Sequence, residues 1–312
     1  MTRVTAIVVD WNGAEHTRRC LRALDAFRHD GALDVVLIDN GSDDPAALAA
    51  LADPPRVRVL RLPHNLGFGG GSNAGIAAAL GGDARWVWLL NNDAEPAPGA
   101  LEEMLAAGAG DATVGAVGCV LDEGSSAGHG RPALVFGGGR IGFTSGLPRQ
   151  HATPVSTEHL DYLCAASMLV RRPALELVGG FDERFFLYRE DVDLGFRLRA
   201  AGFRLVVAAQ AVVRHRAHAS QALASLGWDR HFTHSTVIFF RKHAARPALP
   251  IAISTAGRLV KRLATGRGAN ARAVWEGLRL GWTAAPSGSA LRDAPCEPGP
   301  ATTCASGDGA SA

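Results

Sequence analysis

Between residues 4 and 121, short apolar or β-branched runs alternate with segments of helical spacing. This alternation constrains the fold more than any other feature of the sequence. It predicts an α/β fold, with a mostly parallel sheet and helices on both of its faces. Helices are expected over residues 15–28, from Pro45, in the Ala-rich segment that follows the glycine-rich stretch 65–75 and runs to about Leu80, and from Pro96 and Pro98. The predicted strands are Val4–Val9, Val35–Ile38, Val57–Leu62, Trp86–Leu90 and Val114–Leu121.

After the fifth predicted strand, the alternation of strand-like and helix-like segments stops. Residues 122–160 are rich in Gly, Ser and Pro and predict a hairpin or loop, and regular structure returns at Leu163–Val170. A helix with an acidic first turn is predicted over Glu190–Ala201, with strands near residues 203–207 and 211–215.

The carboxyl-terminal part of the chain changes in composition twice. Residues 221–283 have a basic, helical pattern, whereas Pro, Gly, Ser and Ala dominate residues 284–312 and large apolar residues are almost absent there. We therefore predict one α/β domain over residues 1–220, a helical extension over 221–283 and a disordered tail over 284–312.

Charge and cysteine content exclude several classes of protein. A formal net charge of +2 over 312 residues gives no argument for nucleic-acid binding, and none is predicted. The five cysteines are odd in number and form no Cys-x-x-Cys pair, which favours a reducing compartment over a disulfide framework. No apolar run approaches the roughly 18 residues needed to span a bilayer. We expect a cytoplasmic protein, or one bound at the inner face of a membrane.

Polar residues follow four of the predicted strands. Asn12 follows the first strand, Asp39 the second, Asn65 the third and Asp93 the fourth. Each of them alone is typical of an ordinary turn. Because ligands of open parallel sheets bind beyond the carboxyl ends of the strands, four such positions together predict a binding crevice.

The residue types at this edge suit a nucleotide and a metal ion. Asp39 could accept hydrogen bonds from a pyrimidine or a ribose, and the glycines after Asn65 let backbone amides approach an anion. Asp93 could hold Mg²⁺ or Mn²⁺ while a diphosphate supplies further oxygen ligands. The alternative for Asp93 is a cap on the helix expected after Pro96. A loose dinucleotide fingerprint, Gly69-x-Gly71-x-x-Ala74, is discounted because it follows the third strand.

A second acidic focus is Glu190 and Asp191. Acids in a first helical turn interact favourably with the helix dipole, which is a sufficient structural reason for them. The preceding apolar run, Phe185–Tyr188, could instead raise the pKa of a carboxyl group and suit it to general-base catalysis.

Seven segments together resemble family 2 of the inverting glycosyltransferases, which have the GT-A fold. Within it, the likeness is to bacterial rhamnosyltransferase-like enzymes of cell-wall and surface-polysaccharide assembly, and it covers roughly residues 3–220. The segments are Val8–Gly13, Ile38–Asp43, Asn65–Gly69 with Asn73–Gly75, Leu89–Asp93, Cys164–Arg172, Gly179–Leu194 and His215.

The resemblance implies a role for each matching residue. Asp39 would bind the nucleoside, Asp93 would be the last residue of a degenerate metal-binding DxD, and His215 would complete the metal site. Asp191 would be the catalytic base, with Glu190 beside it. The remaining donor-binding positions are Asn12, Asn65, Gly67, Asn73 and Asn92.

Two positions depart from the family pattern. Asp10 stands where a small or neutral residue is usual, beside the expected wall of the nucleobase site. His234-Ser235 stands where an Arg-Asn pair is frequent. The resemblance therefore does not define the nucleobase or the contacts near residue 234.

The resulting hypothesis is an enzyme that transfers a sugar, with rhamnose a candidate, from a nucleoside-diphosphate donor to a glycan or polyprenyl-linked acceptor. A catalytically degenerate nucleotide-sugar-binding protein is the alternative. A sugar nucleotidyltransferase is disfavoured because Asp10–Glu15 replaces the basic phosphate loop expected after the first strand. An NAD-dependent oxidoreductase is disfavoured by the placement of the glycines.

The helical extension has a composition that suits an anionic membrane surface. Nine Lys and Arg residues lie between Arg241 and Trp282 against the single acid Glu276, with apolar residues interleaved at helical spacing. One interpretation is peripheral membrane contact through residues 250–283. The other is that the apolar face packs on the α/β domain and the charges face solvent.

Overall fold

The computed structural model describes residues 2–27, 33–122, 134–150, 157–215 and 226–285. A large mixed sheet lies at its centre. The strands in the described ranges are β1 (Val4–Asp10), β2 (Leu33–Asp39), β3 (Val57–Arg61), β4 (Trp86–Asn91), β5 (Ala94–Pro96), β6 (Val114–Asp122), β7 (Leu134–Phe136), β8 (Gly138–Ile141), β9 (Pro148–Gln150), β10 (Tyr162–Leu163), β11 (Ser167–Arg171) and β12 (Arg204–His215).

The predicted mostly parallel sheet is confirmed. Its order is β3-β2-β1-β4-β11-β6-β12-β5, with β7 paired to β6. β1 is parallel to both β2 and β4, and β12 is parallel to β6. β11 lies antiparallel between β4 and β6. It thereby brings the turn before residue 167 to the carboxyl end of β4.

Helices cover both faces of the sheet, as predicted. Those in the described ranges are α1 (Ala14–Leu24), α2 (Pro45–Ala49), α3 (Gly67–Leu80), α4 (Ala100–Gly108), α5 (Arg172–Val178), α6 (Glu190–Ala200), α7 (Leu226–His243), α8 (Ala248–Ala264) and α9 (Gly268–Thr283). One buried cluster joins the sheet to α1 and α4 through Leu24 and Met104. A second cluster joins the opposite face to α3, α5 and α6 through Ile76, Leu175 and Leu194.

Three local expectations differ from the structure. The helix expected after the glycine-rich stretch already begins within it, at Gly67, because glycines in α3 let it lie directly against β1: a methyl group at Gly71 would be 2.8 Å from Cγ1 of Val9. The two strands expected near 203–215 form one strand with an irregularity between Ala208 and Val212. Pro96 ends strand β5, and α4 begins only at Ala100.

The segment over 122–160, predicted as a hairpin or loop, contains short antiparallel strands. β8 pairs with both β9 and β10 in a small antiparallel sheet, and β7 adds to the central one. Residues 123–133 and 151–156 of that prediction lie outside the described residues.

The helical extension contacts the α/β domain directly. Ser235 Oγ in α7 donates a hydrogen bond to the carbonyl oxygen of Leu187 at 2.9 Å. His243 Nε2 and Lys242 Nζ lie 2.7 and 2.8 Å from Oδ1 of the fully buried Asp193. Helices thus occupy residues 226–283, while the division near residue 220 stays a prediction and the tail from residue 286 lies outside the described residues. None of the helices in the described ranges is both long and apolar enough to cross a membrane.

Candidate active site

The carboxyl ends of β1, β2 and β4 meet at one edge of the sheet and are joined by hydrogen bonds. Asp10 and Asp39 are partners in the register of β1 and β2. The backbone N–H of Asn12 donates to Ser42 Oγ at 3.0 Å, and its side-chain amide donates to Asp43 at 3.0 Å. Asn92 Nδ2 donates to Asp10 Oδ2 at 2.9 Å. The structure therefore places Asn12, Asp39 and Asn92, all predicted from the sequence to be site residues, at one edge of the sheet.

Asp39 is buried and already has two partners. Its Oδ1 accepts from the backbone N–H of Ser42 at 2.8 Å, and its Oδ2 accepts from Nη1 of Arg61 at 2.6 Å. Arg61 is about half exposed, with 46% of its side chain accessible. A nucleoside that contacts Asp39 would therefore meet an oriented carboxylate whose charge Arg61 partly neutralises.

The glycine-rich segment forms the amino-terminal end of α3. Asn65 Oδ1 accepts from the backbone N–H of Gly67 at 2.8 Å and from Asn40 Nδ2 at 3.1 Å. Gly67 has a φ of +76°, a backbone conformation that favours glycine, and Phe68 N donates to the carbonyl oxygen of Phe186 at 2.9 Å. The end of α3 is thus held against the segment that precedes the acidic helix.

Asn73 lies inside α3 and is buried. Its amide nitrogen donates to the carbonyl oxygen of Phe181 at 3.0 Å and to Glu183 at 2.9 Å, and its oxygen accepts from Phe181 N at 2.8 Å. Its donor-binding role stays a prediction. In the structure the side chain joins α3 to the segment that leads to Glu190.

The buried Asp93, just after β4, and the partly buried His215, at the end of β12, form an acid–imidazole pair. His215 Nε2 lies 3.3 Å from Asp93 Oδ1 and 3.2 Å from Asn91 Nδ2. A carboxylate oxygen and an imidazole nitrogen are both ligand types that divalent cations accept in proteins.

The separation of the pair fits two neighbouring ligands of one ion. Ligands at about 2.0–2.2 Å in octahedral geometry are roughly 3 Å apart. Within the described ranges, no group of three or more His, Cys, Asp or Glu side chains is placed to hold a metal. Two protein ligands suit an ion whose remaining ligands are substrate phosphates and water.

Asp191 lies in the first turn of α6, close to the end of β4. Its Oδ2 accepts from the backbone N–H of Ala165 at 3.4 Å, and its Oδ1 accepts from Val192 N at 2.7 Å. The next residue, Ala166, accepts from the backbone N–H of Asn91 at 3.0 Å. The turn before β11 therefore connects the predicted base to the strand end that precedes Asp93.

Burial raises the pKa of both acidic residues of this turn. For Glu190, burial and then the charge of Asp191 raise the pKa well above its ordinary value, and its Oε2 is buried without a partner among the described residues. For Asp191, burial raises the pKa, while the N–H groups of Val192 and Ala165 and the charge of Arg189 act against the shift. A half-buried carboxylate with a raised pKa is suited to accept a proton.

Sequence reasoning missed Arg189. It is buried with a left-handed φ of 69°, and its Nη2 donates to the carbonyl oxygen of Gly146 at 2.8 Å. Its guanidinium lies 5.1 Å from the centre of the Phe232 ring, and burial lowers its pKa to about 10. Adjacency to Glu190 is its only sequence signal, because Gly146 and Phe232 are remote in the chain.

Comparison with known proteins agrees with the family that the sequence motifs indicate. The model for glycosyl transferase family 2 matches residues 5–179. An N-acetylglucosaminyl-diphospho-decaprenol L-rhamnosyltransferase of Mycobacterium tuberculosis is 32% identical over 285 residues, covering 84% of this chain and 92% of that protein. The O-antigen biosynthesis protein RfbC of Myxococcus xanthus is 33% identical over 204 residues, covering 60% of this chain and 15% of that much longer protein.

A solved structure shows the same fold. The mannosyltransferase PcManGT of Pyrobaculum calidifontis, in complex with GDP-Man and Mn²⁺, superimposes with a TM-score of 0.56 at 20% identity, covering 92% of this chain and 77% of that one. The resemblance drawn from the sequence motifs is therefore confirmed. The chain belongs to glycosyl transferase family 2, has the GT-A fold and is a glycosyltransferase.

Proposed function

We propose that this glycosyltransferase inverts the anomeric centre and that Asp191 is its catalytic base. Asp191 would take the proton of an acceptor hydroxyl as the acceptor oxygen attacks the anomeric carbon. The new carbon–oxygen bond forms while the bond to the donor phosphate breaks, and the nucleoside diphosphate leaves with that electron pair. The raised pKa and partial exposure of Asp191 at the sheet edge carry this proposal.

We propose that Asp93 and His215 hold a divalent cation, Mg²⁺ or Mn²⁺, beside the donor diphosphate. Bound there, the cation would neutralise charge on the leaving group. The 3.3 Å between Asp93 Oδ1 and His215 Nε2 supports two ligands on one ion. Asp39, Asn12, Asn65, Gly67 and Asn92 are the proposed donor-binding residues at the same edge.

The proposed donor is a nucleoside-diphosphate deoxyhexose, with rhamnose as the first candidate sugar. The proposed acceptor is a sugar on a polyprenyl diphosphate. The rhamnosyltransferase of M. tuberculosis supports both choices, because the similarity extends over most of both chains. A panel of dTDP-, UDP- and GDP-sugars, read by thermal shift, would identify the nucleobase.

Replacing Asp191 by Asn tests the base. We expect kcat to fall by about 10²–10⁴, the usual contribution of a general base, while donor affinity stays nearly unchanged. Donor affinity by calorimetry is the control for folding. A wild-type kcat in the Asn variant would refute the assignment and make Glu190 the candidate.

Nucleotide titrations with and without Mn²⁺ test the cation site. We expect Mn²⁺ to strengthen binding of dTDP or UDP to the wild type, and Asp93→Ala to remove that effect. If His215→Ala keeps the effect, the histidine is structural. Equal affinity with and without Mn²⁺ in the wild type would refute the metal site.

We further propose peripheral contact with an anionic membrane at the cytoplasmic face through α8 and α9. Along α8, Leu249, Ile253, Val260 and Leu263 are 43–66% exposed and recur at helical spacing, so they form one apolar stripe. The opposite side packs inward, where Arg262 and Arg258 contact the buried Asp229.

The exposed basic and aromatic side chains of α8 and α9 indicate that this apolar stripe contacts a lipid surface. Trp275 and Trp282 in α9 are 61% and 45% exposed. Lys261 and Arg279 are exposed on the same two helices, and Arg267 is exposed directly before α9. Basic side chains beside tryptophans and an apolar stripe are typical of interfacial helices.

Co-sedimentation of the full chain with phosphatidylglycerol–phosphatidylcholine vesicles tests the surface. We expect binding that weakens with salt and with Val260→Ser plus Leu263→Ser. Leu177→Ser in α5 is the matched control, because Leu177 is 66% exposed like Val260. Equal sedimentation of all three proteins, or none of the wild type, would refute membrane contact.

A further inference from the structure

Asp10, at the end of β1, is fully buried and accepts three hydrogen bonds. Its Oδ1 accepts from the backbone N–H of Gly13 at 3.0 Å. Its Oδ2 accepts from Nδ2 of Asn92 at 2.9 Å and from the hydroxyl of Thr17. Thr17 Oγ1 accepts in turn from the same Asn92 nitrogen at 3.3 Å. Asp10 and Thr17 therefore enclose one end of the Asn92 amide.

This enclosure determines which way the amide of Asn92 faces. An ionised carboxylate only accepts hydrogen bonds, and Thr17 uses its own proton on Asp10, so the group turned toward both must be the NH₂. The space is fitted closely: a methyl group on Gly13 would lie 2.6 Å from Asn92 Nδ2. The carbonyl oxygen of Asn92 is consequently turned away from Asp10. Among the contacts within the described residues, none donates a hydrogen bond to it.

We propose that Asp10 is a positioning residue: by fixing the Asn92 amide, it leaves the carbonyl oxygen of Asn92 free to serve as a further ligand of the cation proposed at Asp93 and His215. The inference rests on that proposed metal site. An amide carbonyl is a hard oxygen ligand of the kind that Mg²⁺ and Mn²⁺ prefer, and it adds no negative charge beside a diphosphate. With the amide reversed, its NH₂ would face the cation and repel it.

The physical consequence is a loss of orientation when Asp10 loses its charge. In Asp10→Asn, an NH₂ can face the NH₂ of Asn92, and the preference for one orientation of the Asn92 amide weakens. Groups that orient metal ligands typically contribute 10–100-fold in metal affinity. We expect a loss of that size for Mn²⁺.

The affinity of the full chain for Mn²⁺ tests this directly, measured by the paramagnetic resonance of free Mn²⁺ in the presence of dTDP or UDP. The variants are Asp10→Asn, Asn92→Ala and the double variant. We expect both single variants to bind Mn²⁺ more weakly. The double variant should bind no more weakly than Asn92→Ala, because Asp10 acts through Asn92.

Two further variants separate orientation from folding. Thr17→Val removes only the hydroxyl of the enclosure and should weaken Mn²⁺ binding less than Asp10→Asn does. Asp229→Asn is the matched control, because Asp229 is also a fully buried carboxylate but is bonded to Arg262 and Asn270 in the helical extension. It should lower the thermal midpoint and leave Mn²⁺ affinity unchanged.

The outcomes distinguish failure of the role proposed for Asp10 from failure of the proposed metal site on which it depends. If the wild type shows no nucleotide-dependent Mn²⁺ binding, the metal site and the inference both fail. If the wild type binds Mn²⁺ and Asp10→Asn binds it equally well, only the role of Asp10 is refuted. Additive losses in the double variant would also refute it, since Asp10 would then act by another route.

Discussion

Gly67 joins the amino-terminal end of α3 to the segment that carries the proposed base, and its replacement by Ala is a sharp test of that junction. Gly67 has a φ of +76°, and a methyl group there would overlap the carbonyl oxygen of Phe186 and lie 2.8 Å from its carbonyl carbon. The overlapped atoms are backbone, so no side-chain rotation can relieve the contact. The variant must move residues 186–188 away from α3 or shift the start of α3.

The structure gives the expected size of the loss. A non-glycine residue in left-handed backbone costs about 1–2 kcal/mol. Separating the segments also breaks the 2.9 Å hydrogen bond from Phe68 N to Phe186 O, which contributes about 1 kcal/mol net. A total of about 2–3 kcal/mol corresponds to a fall in thermal midpoint on the order of 5 °C for a chain of this size.

Thermal melts, urea unfolding and steady-state kinetics would measure the effect. Activity should fall beyond what the loss of stability explains, because residues 186–188 lead directly into Glu190 and Asp191. Gly81→Ala is the matched control at the other end of α3: its φ is −69° and its added methyl group would meet nothing nearer than 3.5 Å. If Gly67→Ala melts and turns over like Gly81→Ala, the two segments are not held together as described.

Three further outcomes follow from the site. Because burial raises the pKa of Asp191, the acid limb of the pH–rate profile should have its midpoint above the ordinary carboxyl value of about 4, and a midpoint near 4 would contradict its role as base. Burial also raises the pKa of Glu190, so the folded state holds a proton that the unfolded state releases. The free energy of unfolding of the wild type should therefore decrease as pH rises from the pKa of Glu190 in the unfolded state to its higher pKa in the folded state. Glu190→Gln should therefore raise the free energy of unfolding in urea at pH 7–8, with a gain that disappears below about pH 4; an equal gain at both pH values would show another cause. Arg61→Ala should weaken dTDP or UDP binding in calorimetry by releasing Asp39, with little change in thermal midpoint because Arg61 is half exposed, and unchanged affinity would argue against Asp39 as a nucleoside contact.

Much of the central fold could be predicted from the sequence because its signals are local. The apolar run at Val4 became β1 with only its boundary extended to Asp10, and Pro45 begins α2 behind the capping side chain of Asp44. Strand runs of this kind are recognised by composition, and helix starts by one or two residues. The motifs likewise indicated the family, since their order and spacing are properties of the chain itself.

Pairing between distant strands could not be predicted in the same way. Nothing local to Ser167–Arg171 says that β11 runs antiparallel between β4 and β6, yet this insertion brings Ala165 to Asp191. The glycine-rich stretch has the local character of a loop. It is helical because its glycines allow α3 to approach β1, a contact that exists only once the sheet has formed.

The same distinction between local and long-range information applies to the candidate site. The sequence alone determined which residue types stand at the strand ends, because strand, turn and helix start follow one another along the chain. Only the tertiary structure decided which of them share a partner: His215 meets Asn91, 124 residues away, and Asp10 turns the amide of Asn92 from 82 residues away. The physical reason is that hydrogen bonds and charge interactions act over a few ångströms in space, and the folding of the sheet alone makes such residues neighbours.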